Sequence, residues 1–131
     1  MTNTHHLRVS MGALLLATLA ASAAFAGPTT DRIRDNNRLR LAYIPQARPF
    51  TSAAGQAADG YGAALCGEIA SRVKSELALP QLDVEWVPVS LDTAFTTVSS
   101  GNADVLCTPS NATLQRRKTV AFSIPDRKSV V

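Results

Sequence analysis

Short apolar runs alternate with helix-length amphipathic stretches along residues 38–107, and no other feature restricts the fold as much. Residues 38–43, R-L-R-L-A-Y, put Leu39, Leu41 and Tyr43 at every second position, the period of a half-buried strand, and Pro45 and Pro49 end it. Residues 61–79 carry Leu65, Ile69, Val73 and Leu77 at four-residue spacing, which is one apolar stripe on a helix that stops at Pro80. Alternation returns over residues 82–89 with Leu82, Val84 and Trp86. A second helix is expected over residues 90–100, with Leu91, Phe95 and Val98 as its stripe and Gly101 where a helix-terminating glycine belongs. Residues 103–107, A-D-V-L-C, read as a third, buried strand. Strands separated by helices of this length imply an α/β fold with a parallel sheet and right-handed crossovers. In an open sheet of that kind ligands collect outside the carboxyl ends of the strands. Three loops converge there, at residues 44–50, 89–93 and 108–113.

The third of these loops carries the most chemistry. Residues 103–125 read as strand, polar turn, one or two helical turns over residues 113–120, then a second apolar run. A helix start offers unpaired backbone N–H groups to a small anion. Ser110, Asn111 and Thr113 are residue types that cap such a start, and Arg116, one turn inside, can grip a carboxylate through two N–H groups. The alternative is a capped surface helix whose Arg116-Arg117-Lys118 run is only solvated. The loop over residues 46–60 holds one large apolar side chain, Phe50, which is either a plug on the core or a platform for ligand.

Several function classes are excluded. The formal net charge is +3, spread along the chain, and aromatic residues are few, so a nucleic-acid surface is not expected. Residues 1–26 have the form of a cleaved secretory signal peptide: a basic start with Arg8, an apolar run over residues 11–21, and Ala24-Phe25-Ala26 before Gly27. An uncleaved anchor is the alternative. His5 and His6 leave with the leader, and the remainder contains no histidine, the commonest general base and metal ligand. No dinucleotide glycine motif, phosphate-binding loop, paired-histidine zinc motif or nucleophile elbow is present, and no cofactor is expected. Asp83 and Glu85 alternate along a strand as its solvent face, Asp92 looks like helix-start chemistry, and Asp104 serves packing or capping. Two cysteines in an exported chain suggest one disulfide, with two buried thiols as the alternative.

Gly101, Asp104, Arg116, Val120, Phe122, Ser123 and Pro125 fall in step with a lobe 1 motif, and on these residues the chain resembles the family 3 bacterial extracellular solute-binding proteins. These are the periplasmic receptors of polar amino acid ABC transporters. The resemblance reaches back to about Arg38 and is nearest the glutamate/aspartate branch, where a cysteine in the first helix and another before the ligand loop match Cys66 and Cys107. It implies a periplasmic binding protein-like II fold: a partial lobe 1 with a three- to four-stranded, mainly parallel sheet flanked by helices. It also implies a division into signal peptide (1–26), linker or frayed helical turn (27–37), incomplete lobe 1 (38–125) and truncated tail (126–131), with the second lobe lacking. The implied function is binding of an amino acid or small carboxylate in the periplasm, for delivery to an inner-membrane permease. Arg116, Asn111, Ser110, Phe50 and Arg48 are the expected ligand contacts, and Cys66–Cys107 the expected disulfide. Three departures blur the ligand. Asn111 stands where threonine is usual, Pro109 where the acidic-ligand branch often has serine, and Ala94 where that branch uses an arginine. Two other readings remain: a periplasmic enzyme on the same scaffold, similar to cyclohexadienyl dehydratase, and a truncated product without function.

Overall fold

The computed structural model describes residues 27–124, so the expected signal peptide and the tail beyond residue 124 lie outside the described residues. Its centre is strand β1 (Arg38–Tyr43). Strands β5 (Asp83–Pro88) and β6 (Val105–Leu106) lie on either side of it, both parallel to it, in the order β5-β1-β6. Arg38 pairs with Asp83 through to Tyr43 with Pro88, whereas only Leu41–Val105 and Ala42–Leu106 pair on the other flank. The third strand is thus shorter than the five residues expected, and it is the edge of this sheet. Helices α2 (Tyr61–Glu76) and α3 (Ala94–Ser99) make the two crossovers. Gly101 closes α3 with φ of +76°, a left-handed conformation that favours glycine.

Two stretches depart from the sequence reading. Residues 28–36, expected as a linker or frayed turn, form the nine-residue helix α1 (Pro28–Asn36). Proline opens it, Asp31 and Arg34 suit its two dipole ends, and Asn37 ends it at φ of 51°. Its Ile33 is buried in the core. The loop over residues 46–60 is an antiparallel meander of β2 (Gln46–Ala47), β3 (Thr51–Ala54) and β4 (Ala57–Asp59). Gly55 (φ +60°) makes the β3–β4 turn, and Gly60 (φ +112°) enters α2.

Leu39, Leu41, Cys66, Ala70, Leu82 and Cys107 pack as the core, as the strand alternation implied for Leu39, Leu41 and Leu82. Of the stripe read on α2, Val73 and Leu77 pack against the core, but its first half is turned outward. Leu65 and Ile69 are exposed, and Gly62, Ala63, Cys66 and Ala70 face inward instead. Close approach is the reason. A β-carbon on Gly62 would sit 2.2 Å from the carbonyl oxygen of Cys107, so only small residues fit between α2 and the sheet. The disulfide Cys66–Cys107 joins α2 to the end of β6 at the same place, with Cα atoms 5.9 Å apart. Leu91 and Val84 are exposed rather than inward, Leu91 because α3 begins three residues after it.

Candidate functional site

The loops at the carboxyl ends of the three parallel strands are stitched together by polar contacts. Thr51 is fully buried. Its hydroxyl donates to the Ile44 carbonyl (2.8 Å) and lies 2.9 Å from the Thr108 hydroxyl, which accepts from the Ile44 N–H at 3.1 Å. Cys107 donates its backbone N–H to Ala42 and Val89 to Tyr43. Phe50 accepts from the Gly62 N–H at 2.8 Å, tying the meander to the start of α2. Neither Thr51 nor Thr108 stood out in the sequence, because a lone threonine gives no pattern until two loops meet.

After Cys107 the chain turns away from the sheet. The helix expected over residues 113–120 is a single 3-10 turn, Arg116–Lys118. A turn of three residues has almost no aligned dipole, so a helix-start anion site is not what the fold builds here. Of the proposed caps, Thr113 accepts the Arg116 N–H through its hydroxyl at 3.3 Å, while the Ser110 hydroxyl turns back to the Thr108 carbonyl at 3.4 Å. What the turn fixes is a side chain. Arg116 is half-buried; its Nη1 donates to the Asn111 carbonyl at 3.0 Å, and its guanidinium carbon lies 4.2 Å from the centre of the Phe95 ring. Arg117 is exposed, 5.7 Å from the Phe122 ring.

Two depressions open beside this segment. One is lined by Phe95, Asn111, Thr113, Gln115, Arg116 and Thr119, and among the described residues Arg116 is its only charged one. The other, of about 360 Å³, is an apolar groove between α2 and α3, with Leu65, Ile69, Val98 and Phe122 in its walls and Ser110 at its rim. Arg116 and Asn111 are therefore brought together, Ser110 lines the neighbouring groove, and Arg48 and Phe50 line neither. Phe50 is 42% exposed. Phe95 was read from the sequence as part of a core stripe and stands instead beneath Arg116.

Behind the sheet's other end, Asp104 is a buried carboxylate, with its side chain 1% exposed. It accepts from Arg32 of α1 and from the Arg40 N–H at 2.7 Å, with the Arg40 guanidinium 3.9 Å away. It clamps α1, β1 and β6 together, which is the packing role expected of it.

At the carboxyl ends of the parallel sheet, the loops thus leave the Arg116 guanidinium beside an open depression. The chain belongs to the bacterial extracellular solute-binding proteins, family 3, whose sequence profile matches residues 39–131. It is 28% identical over 109 residues to the glutamate/aspartate import solute-binding protein of Salmonella typhimurium, covering 82% of this chain and 36% of that protein. It is 27% identical over 120 residues to the L-glutamate/L-aspartate-binding protein of Pseudomonas aeruginosa, covering 84% of this chain and 40% of that one. The chain thus spans little more than a third of the length of the curated relatives it matches. Among solved structures, a mutant of the arginine-bound form of domain 1 from TmArgBP superposes with a TM-score of 0.62 at 23% identity, over 76% of this chain and 73% of that domain. The likeness establishes the periplasmic binding protein-like fold.

Proposed function

We propose that this chain supplies the first-lobe half of a periplasmic amino acid receptor, with Arg116 as the anchor of the ligand's α-carboxylate. The observation that carries the reading is the Arg116 depression: among the described residues that line it, one guanidinium and no carboxylate, at the carboxyl edge of the sheet of a solute-binding family member. A guanidinium held this way can take a carboxylate through two parallel N–H bonds. The Asn111 carbonyl supports the arginine rather than the ligand. Ser110, Phe50 and Arg48 remain candidate contacts from the loops on either side.

The acidic-ligand branch's second arginine is replaced by Ala94, which is 1% exposed and offers nothing to a side-chain carboxylate. The ligand class is therefore an amino acid recognised through its α-carboxylate, not specifically glutamate or aspartate. The relatives are named as solute-binding proteins. Binding without turnover, followed by handover to an inner-membrane ABC permease, is the corresponding role, exercised in the periplasm once the leader is removed.

Titration calorimetry and amide NMR with a panel of L-amino acids test the reading. The contacts visible among the described residues are few, so a dissociation constant in the millimolar range, about −4 kcal/mol, is the expected scale. Shifts confined to residues around Arg116 support the proposal. Absence of any response to the whole panel contradicts it, and conversion of a ligand to product would replace it with the enzyme reading.

A further inference from the structure

We infer that Phe95 is the positioning residue that orients the Arg116 guanidinium for a carboxylate; this rests on Arg116 being the carboxylate anchor. Arg116 is held at three points. Its backbone N–H goes to the Thr113 hydroxyl, its Nη1 to the Asn111 carbonyl, and its guanidinium lies over the Phe95 ring. The first two fix the root and one corner of the side chain, and the ring backs the guanidinium carbon at 4.2 Å.

The geometry suits a carboxylate site. A guanidinium carries five N–H donors in one plane, and a carboxylate approaches in that plane. Asn111 takes one donor on Nη1. A ring against the face competes for none of the other four, whereas a carboxylate or carbonyl partner would. The ring also restricts a long side chain that would otherwise lose much rotamer freedom on binding.

Phe95 is itself braced. Its neighbour Ala94 is buried at the start of α3, and its ring sits 6.2 Å from that of Phe122 at an interplanar angle of 37°. α3 follows the β5 loop and Arg116 follows the β6 loop, so the contact couples two of the three strand-end loops. The sequence pattern concealed this, because a phenylalanine at helical spacing reads as core.

The test uses the full chain and acetate, the simplest carboxylate probe, with the Arg116 Nε–H resonance as the readout. In the wild type this proton should be shifted upfield by the ring, and acetate should move it in a saturable manner. Phe95→Leu keeps an apolar side chain and should lose the upfield shift. It should also weaken the acetate response roughly two- to fivefold, the scale of a partly exposed cation–π contact. Phe95→Tyr should restore both. In the Arg116→Ala background, Phe95→Leu should change acetate binding no further. Equal Arg116 resonances and equal acetate responses in wild type and Phe95→Leu would overturn the inference, as would an Arg116 proton unmoved by acetate in the wild type. A wild type that answers acetate but no amino acid would refute the receptor reading while leaving the positioning role intact.

Discussion

Replacing Asp104 by alanine should destabilise the fold by about 3 kcal/mol. Breaking a buried ion pair costs roughly 3–5 kcal/mol when the orphaned charge stays buried. Asp104 is 1% exposed, but its partners Arg32 and Arg40 are 30% and 26% exposed, so each recovers some water and the lower end applies. The charge-assisted hydrogen bond from the Arg40 N–H is part of the same loss, since contacts within one network do not add. Asp104→Asn keeps an acceptor for the Arg40 N–H and should cost about half as much. Urea unfolding followed by circular dichroism, with linear extrapolation, measures both. In a double-mutant cycle with Arg32→Met the coupling should exceed about 1 kcal/mol, and added salt should reduce it little because the carboxylate is buried. A loss below about 1 kcal/mol for Asp104→Ala, or no coupling to Arg32, would refute the clamp and with it the account of why α1 docks.

Gly62→Ala should be severe, about 2–3 kcal/mol by overpacking, because the new methyl would meet the Cys107 carbonyl; a melting temperature within a degree of wild type would disprove that close approach. Reducing the Cys66–Cys107 disulfide opens a loop of 41 residues and should remove roughly 4 kcal/mol, read as a lower urea midpoint; two alkylatable thiols in material taken straight from the periplasm would show that the bond is not made there. The groove beside β6 leaves Leu65 and Ile69 exposed next to a strand edge, so the isolated chain should bind an apolar dye and self-associate as its concentration rises; a monomer with no dye binding and a high melting temperature would contradict this.

The β-α-β-α-β core was legible because strands and crossover helices have distinct periods, and Leu39, Leu41 and Tyr43 announced the central strand. Local chemistry was harder. α1 carried its signals in Pro28, Asp31 and Arg34, but with Ile33 as its single large apolar residue it had no stripe to detect. The meander at residues 46–59 is held by Thr51 and by turns at glycines, neither of which makes an alternating pattern. The α2 stripe held at Val73 and Leu77 but not at Leu65 and Ile69, because a four-residue spacing drifts around the helix and the close approach at Gly62 and the disulfide turned the first half the other way. The placing of Arg116 after a strand end, beside Asn111, could be read from the sequence. The partner that orients it could not, since Phe95 and Arg116 meet only through the fold. The 3-10 turn shows the opposite failure, in which capping residues suggested a helix and left-over polar groups bonded locally instead.

The central claim is that Arg116, rather than its neighbour, anchors an amino acid. Measuring the binding of the best L-amino acid to wild type, Arg116→Ala and Arg117→Ala, by amide NMR titration of the full chain, tests it most directly. Removing a charged hydrogen-bonding partner worth about 1.5–3 kcal/mol should weaken binding roughly tenfold or more in Arg116→Ala. Exposed Arg117, 5.7 Å from the Phe122 ring and outside the depression, should change it less than about twofold. Equal losses for the two substitutions, or unchanged binding in Arg116→Ala, would contradict the account.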